Sequence, residues 1–181
     1  MNIDTINNLN IFLGTGAIVL QIVSLLVIIL LFGNFGKNKI LDFVNKNFLL
    51  LSFLISFFAS VLSLIYSEII GFIPCHLCWF QRIFIFPVTI ILGMAFWNKD
   101  RKVIKYVLPL VSFGFLISVY QNLIYYFGDS SNIACDSTGV SCYQRLISEF
   151  GGYISLPMLA LTSFFSLIVI ILVAHFYKKN E

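Results

Sequence analysis

The stretch from Asn47 to Ser67 reads NFLLLSFLISFFASVLSLIYS and contains no Asp, Glu, Lys or Arg. A helix needs about 20 mostly apolar residues to cross the hydrocarbon core of a bilayer, and this stretch is long enough to do so. It therefore predicts a transmembrane helix, and the rest of the chain repeats the pattern.

Four further uncharged runs lie along the chain, at 5–36, 83–98, 106–128 and 150–177. Three of them are long enough to span a bilayer. The run at 83–98 becomes long enough if its helix begins near Trp79 and includes Arg82 close to one end. We therefore predict five transmembrane spans, at about 10–32, 48–70, 79–97, 104–127 and 154–177.

The composition supports a membrane protein throughout. Of the 181 residues 60% are hydrophobic and only 10% are charged, whereas soluble domains are about 25% charged. A cleaved signal peptide is disfavoured because Met1 to Asn10 contains no Lys or Arg and the apolar run that follows is too long. We expect one all-α, polytopic transmembrane helix bundle. The net charge of +3 is small, and we expect no nucleic-acid partner.

The basic residues predict the orientation in the membrane. Nine of the eleven lie between spans one and two, between spans three and four, or after span five: Lys37, Lys39, Lys46, Lys99, Arg101, Lys102, Lys105, Lys178 and Lys179. Because cytoplasmic loops carry the excess of Lys and Arg, these segments are expected inside the cell. The N-terminus and the segments 71–78 and 129–152 are then outside, and the C-terminus is cytoplasmic.

All four cysteines fall in the two outer segments, Cys75 and Cys78 as a C-x-x-C in the first, Cys135 and Cys142 in the second. Cysteine is common in apolar cores, so random placement would have put some inside the spans. Compartments outside the cytoplasm are oxidising, which predicts disulfides or redox-active dithiols.

Three interpretations of the cysteines compete. Inert staples are disfavoured because a C-x-x-C bridge closes a very small loop and removes little chain entropy. A metal site that includes His76 is disfavoured because adjacent Cys75 and His76 cannot easily share one tetrahedral ion. Thiol–disulfide exchange between the two pairs is favoured because C-x-x-C is a common redox motif. The other two interpretations stay open.

The residues around the first pair favour exchange. Pro74 precedes it, and Cys78 is expected at the start of span three, where backbone N–H groups favour a thiolate. Arg82 lies four residues further on and shares a helix face with Cys78. A permanent cation beside a thiol favours its nucleophilic form. The alternative for Arg82 is an interfacial arginine that extends its charge to water.

The stretch 74–82, PCHLCWFQR, resembles the DsbB family of quinone-dependent disulfide oxidases, as do Tyr66-Ser67-Glu68 and the stretch 154–161, ISLPMLAL. The resemblance covers about residues 48–177. It implies a four-helix DsbB-like core at 48–177, with an extra N-terminal transmembrane helix and cytoplasmic loop at 1–47 and a cytoplasmic tail at 178–181. The family is known to keep the bacterial periplasm oxidising, and the resemblance implies the same role here.

The resemblance also implies an activity. The chain would be a protein dithiol:quinone oxidoreductase of the bacterial inner membrane, with both cysteine segments on the periplasmic side. Its partners would be a DsbA-like thioredoxin-fold protein and the respiratory quinone pool, with ubiquinone or menaquinone as the cofactor. The alternatives are a vitamin K epoxide reductase-like protein and a non-catalytic membrane protein with disulfide-stapled loops.

The family's residue roles carry over to matching positions. Electrons would pass from the carrier to Cys135–Cys142, then to Cys75–Cys78, then to quinone. Cys135 matches the cysteine that the carrier attacks, Cys75 and Cys142 match the pair that links the two loops, and Cys78 matches the cysteine that engages the quinone. Arg82 matches an arginine on the quinone side.

Two further residues are candidates for the cofactor site. Gln121 stands near the outer end of span four, where many relatives carry His, so it can donate a hydrogen bond but cannot titrate. Glu68 stands at the outer end of span two, where it either tunes the quinone pocket or is an ordinary interfacial carboxylate.

Overall fold

The computed structural model of the chain describes residues 3–33, 38–127 and 152–177. In these ranges the chain forms helices and no β-strand. The α-helices are α1 (Ile3–Phe32), α2 (Lys39–Lys46), α3 (Phe48–Leu64), α4 (His76–Asn98), α5 (Ile104–Phe127) and α6 (Leu156–Phe176). Within the described ranges, five segments are long and apolar enough to cross a membrane: α1, α3 with its extension to Ile69, α4, α5 with the turn before it, and α6. The predicted all-α polytopic bundle is confirmed.

Helices α3 to α6 form a four-helix ring, because α4 packs against α3 and α5, and α6 packs against α5 and α3. Val88, Val107 and Leu167 are fully buried in its centre. Helix α1 packs against α6 outside this ring. In the most apolar 18-residue stretch of α6, 44% of the residues are buried, whereas in that of α1 only 17% are. Helix α6 is therefore central and α1 is peripheral. This is the predicted four-helix core with one additional helix.

Polar side chains fix α1 to the ring. Gln21 donates to the Thr162 hydroxyl at 2.7 Å, and the hydroxyls of Ser24 and Ser166 lie 2.9 Å apart. Both contacts join α1 to α6. Because hydrogen bonds between side chains contribute to helix association in a bilayer, α1 is held at a defined register along α6.

The last turn of the second span departs from the predicted regular helix. Helix α3 continues as a π-helical turn, Ile65–Ile69, in which the backbone changes register so that Ile70 N–H donates to the Ile65 carbonyl at 3.1 Å. Tyr66 is buried in this turn. π-turns inside α-helices are rare and occur frequently at functional sites.

The end of the bundle that is remote from Cys75 and Cys78 carries the basic residues of the loops between spans, as far as the structure describes them: Lys39, Lys46, Lys99, Arg101, Lys102 and Lys105. Arg101 donates to the Asn45 side chain at 2.6 Å, and its guanidinium carbon lies 4.6 Å from the centre of the Phe48 ring. These contacts tie the turn between α4 and α5 to the junction of α2 and α3. The direction in which this end faces across the membrane remains a prediction from the charge pattern.

Candidate active site

The first cysteine pair lies on the first turn of α4. Cys75 is the N-cap residue, with φ −68° and ψ 168°, and Trp79 N–H donates to its carbonyl at 3.1 Å. Pro74, immediately before it, restricts the backbone that enters the helix. The helix thus begins at His76, three residues before the predicted start at Trp79, because the whole C-x-x-C is part of its first turn.

The two sulphur atoms are in contact. Cys75 Sγ and Cys78 Sγ lie 3.0 Å apart, and both residues are thiols in this structure. A disulfide bond is about 2.05 Å long, so the sulphurs need to approach by about 1 Å to form one. Cys75 is only 3% exposed, whereas Cys78 is partly exposed and lines a cavity. Cys78 is therefore the accessible member of the pair.

A glutamine from another helix contacts both sulphurs. Gln121, on α5, is 2% exposed, and its Nε2 lies 3.4 Å from Cys75 Sγ and 3.3 Å from Cys78 Sγ. Its Oε1 accepts a hydrogen bond of 2.7 Å from Gln81 Nε2. The amide therefore presents N–H groups to the cysteines, where they stabilise a negative charge on sulphur.

Arg82 is buried, with 6% of its side chain exposed. Its Nε donates to Ser63 Oγ at 2.8 Å and its Nη2 donates to the Ser63 carbonyl at 2.6 Å. The guanidinium carbon lies 5.3 Å from the centre of the Trp79 ring. This geometry does not fit an arginine that extends to the surface. Among the described residues its contacts are a hydroxyl, a carbonyl and a ring, and none of these is a carboxylate. A buried cation with such contacts favours an electron-rich ligand.

Arg82 and Gln121 line a cavity of about 370 Å³, which is bounded mainly by α1, α3, α4 and α6 and also reaches Cys78. Most of the lining side chains are apolar, among them Leu54, Phe58 and Leu159. Sites for small molecules typically have about 300–1,000 Å³ and apolar walls with a few convergent polar groups. The cavity has this character.

The structure thus brings together Cys75, Cys78, Arg82 and Gln121. Glu68 does not join them, because its side chain is exposed, accepts a hydrogen bond of 2.8 Å from Ser67 and does not line the cavity.

The second pair, Cys135 and Cys142, lies outside the described residues. The disfavoured alternative of a metal site would include both of these cysteines, so the described residues do not test it.

Two residues of the site were missed by the sequence analysis. Gln81 orients Gln121. The sequence could have indicated it, since Gln81 stands directly before Arg82 in the stretch that carries the family resemblance. Ser63 holds Arg82, and nothing in the sequence distinguishes it from the other serines of its span.

The fold and the site define a multi-pass membrane protein with a dithiol at a helix N-terminus beside an apolar cavity. The model of the family described as "Disulfide bond formation protein DsbB" matches residues 45–174. The chain belongs to this family, as its sequence resemblance predicted.

Curated relatives carry related names. "Probable disulfide formation protein C 2" of Bacillus anthracis is 36% identical over 138 residues, which cover 76% of this chain and 97% of the relative. "Disulfide bond formation protein C" of Bacillus subtilis is 40% identical over 133 residues, 74% of this chain and 91% of the relative. No solved structure matches the chain. Family membership gives the chain a role in disulfide bond formation, with a thiol-redox partner and a place in the membrane.

Proposed function

We propose that the chain is a dithiol:quinone oxidoreductase, which reoxidises a DsbA-like thioredoxin-fold carrier and passes the electrons to a membrane quinone. The observation that carries the proposal is the meeting of Cys78, Arg82 and Gln121 at the edge of one apolar cavity. A thiol used only for structure would need neither the cavity nor a buried cation on the wall of the same cavity.

The thiol steps are two successive exchanges. A carrier thiolate attacks one sulphur of the Cys135–Cys142 disulfide, and the mixed disulfide is resolved by the second carrier thiol. The carrier leaves oxidised, and the second pair has gained two electrons and two protons. The second pair then reduces the Cys75–Cys78 disulfide in the same manner, which leaves the first pair as the dithiol beside the cavity.

The residues present fit a quinone. The Arg82 guanidinium suits a ring oxygen, and the apolar walls suit a lipid-soluble molecule with a hydrocarbon tail. When bound, a quinone accepts two electrons and two protons, and Cys75 and Cys78 become a disulfide again. Gln121 stabilises negative charge on the sulphurs during this step, and Ser63 holds Arg82 at the cavity. Ubiquinone and menaquinone are both candidates.

The charge pattern sets the proposed location. The chain would lie in the bacterial inner membrane with its N-terminus and both cysteine segments in the periplasm and its C-terminus in the cytoplasm. A soluble periplasmic carrier could then reach the second pair, and the quinone pool could reach the cavity from the bilayer.

The test mixes the purified protein in detergent with a reduced thioredoxin-fold carrier and a decyl-substituted benzoquinone. The loss of quinone absorbance should match the carrier disulfide formed, one quinone for each disulfide. Cys78→Ser should abolish quinone reduction. If the wild type consumes no quinone and both cysteine pairs resist mild reductant, the pairs are staples and the proposal is wrong.

A further inference from the structure

We infer that α1 is part of the quinone-binding site: one face of this additional helix forms a wall of the cavity beside Cys78 and determines how tightly the quinone binds. The inference rests on the proposed function, and it assigns a role to the helix for which the sequence offered none.

The wall is one continuous face of α1. The side of the cavity formed by this helix consists of Phe12, Leu13, Gly16, Ala17 and Leu20. Positions separated by three or four residues lie on the same side of a helix, so this spacing describes a stripe along two turns. Every member is apolar or glycine. The wall therefore suits the hydrocarbon part of a lipid-soluble quinone, while Arg82 and Gln121 provide the polar groups.

Hydrogen bonds hold the wall in register with the site. Tyr66, which itself lines the cavity, donates to the Asn10 side-chain oxygen at 2.5 Å, and both residues are buried. At the other end of this stretch of α1, Gln21 donates to Thr162, which also lines the cavity. The segment between Asn10 and Gln21 is thus fixed at both ends to residues of the cavity, which a helix that serves only as an anchor does not require.

This wall lies outside the region that defines the family. The family match begins at residue 45, after the end of α1 at Phe32. The chemical groups Cys78, Arg82 and Gln121 belong to the family region, whereas α1 adds a surface for the substrate. Its contribution is therefore expected in quinone affinity rather than in the thiol chemistry.

Gly16 offers a direct test of the wall. A Cβ atom added at Gly16 would meet nothing within 4 Å, and Gly16 lines the cavity, so a longer side chain there has the cavity to extend into and would occupy its space. Leucine is also a better helix former than glycine. Gly16→Leu should therefore fold normally and compete with the quinone for room.

The expected result for Gly16→Leu is a KM for decyl-benzoquinone raised about tenfold or more, with the rate of carrier exchange at the second pair unchanged. The matched control is Val19→Phe, which adds bulk to the same helix at a residue that is 57% exposed and does not line the cavity. The control should keep the wild-type KM. The quinone that co-elutes with each protein on gel filtration gives a second readout that does not depend on turnover.

A second pair of variants removes bulk and covers the case in which Gly16→Leu fails to fold. Phe12→Ala should raise the KM several-fold, whereas Phe32→Ala, on the same helix but away from the cavity, should not. If quinone binding and KM stay within twofold of wild type in Gly16→Leu and Phe12→Ala, α1 is only an anchor and the inference is refuted. If the wild type neither binds nor reduces quinone, the proposed function fails as well. The wild-type measurement therefore distinguishes failure of the proposed function from failure of the inference about α1.

Discussion

Gln81 donates a hydrogen bond of 2.7 Å to the side-chain oxygen of Gln121, and with Gln81 in this orientation the NH₂ end of the Gln121 amide faces the cysteines. Turning the Gln121 amide over would place its NH₂ group against that of Gln81, so two donors would meet. The carbonyl oxygen would then face the sulphurs and could not stabilise a thiolate. Gln81 is thus a positioning residue for the donor on Gln121.

Replacing Gln121 by leucine should slow the oxidation of the Cys75–Cys78 dithiol by quinone. A hydrogen bond to a charged group contributes about 1.5–3 kcal/mol, so we expect a fall of roughly 10- to 100-fold in rate. Gln81→Leu should give a smaller fall, since the donor remains but is no longer oriented. Stopped-flow measurement with pre-reduced protein and excess quinone tests both. Equal rates in Gln121→Leu and wild type would show that the contact has no part in the reaction.

Replacing Arg82 by methionine should weaken quinone binding while carrier exchange at the second pair stays intact. The loss of a charge-assisted contact predicts an apparent quinone affinity roughly 10- to 100-fold lower. Arg82→Lys should rescue only part of it, because lysine lacks the planar fork that reaches both the hydroxyl and the carbonyl of Ser63. Steady-state titration with quinone measures the effect. Wild-type KM in Arg82→Met would leave Arg82 with a structural role alone.

The spans were predictable because the bilayer dictates their length. The predicted spans 104–127 and 154–177 agree with α5 and α6 to within two residues at each end. Helix α2 was not predicted, since its sequence, KILDFVNK, is short and half polar, and it is stabilised by burying Leu41 and Val44. The π-turn at Ile65–Ile69 has no sequence signature, because it depends on how α3 packs against its neighbours.

The site was predictable only where its residues share one helix. The spacing from Cys78 to Arg82 is local, so the sequence indicated that both lie on one side of α4. Gln121 comes from α5, and no spacing rule relates it to Cys78; only the family resemblance placed it near the site. The contact of Arg82 with Ser63 depends on the packing of α3 against α4, and it could not be foreseen from either segment alone.

A close approach between α5 and α6 gives a prediction for stability. A Cβ atom added at Gly114 would clash with the ring of Phe164, a side chain that is 2% exposed. Because inserting extra volume into a packed core costs about 1–3 kcal/mol, Gly114→Ala should lower the thermal midpoint in detergent by several degrees. Gly16→Ala is the matched control, since its new methyl group meets open space. Equal midpoints for the two variants would contradict the packing described here.

The predicted orientation can be tested by labelling. All four native cysteines are first changed to serine, and single cysteines are then introduced at Asn2 and Asp129. Both should react with a thiol reagent that cannot cross the inner membrane, in cells whose inner membrane is intact. A cysteine at Asn98, at the end of α4 beside the basic residues, should react only after lysis. The reason is the clustering of Lys and Arg on the cytoplasmic side. Reaction of the Asn98 variant in intact cells would invert the orientation and remove the second pair from the oxidising side.

The order of the cysteines predicts which sulphur the carrier attacks. The carrier is soluble, so it should meet the longer outer segment, which holds Cys135 and Cys142, before it meets the pair on α4. Cys135 follows the polar stretch Ser130–Asn132, whereas Cys142 leads towards the returning helix, so Cys135 should be the more accessible sulphur. In Cys142→Ser the oxidising equivalent comes from the Cys75–Cys78 disulfide: Cys135 attacks it, and the carrier thiolate then attacks Cys135 and releases Cys75 and Cys78 as the dithiol. Mixed in its oxidised form with a carrier that lacks its resolving cysteine, this variant should therefore accumulate a covalent complex through Cys135, because the carrier has no second thiol to release it.

Non-reducing gels and mass spectrometry of the linked peptides measure the trapped complex. Cys135→Ser is the matched control and should trap little, since it retains the less accessible sulphur. In both variants the Cys75–Cys78 dithiol, once reduced chemically, should still react with quinone, because Gln121, Arg82 and the cavity are unchanged. A complex linked through Cys75 or Cys78 instead would show that the carrier reaches the α4 pair directly, and the serial relay would be wrong.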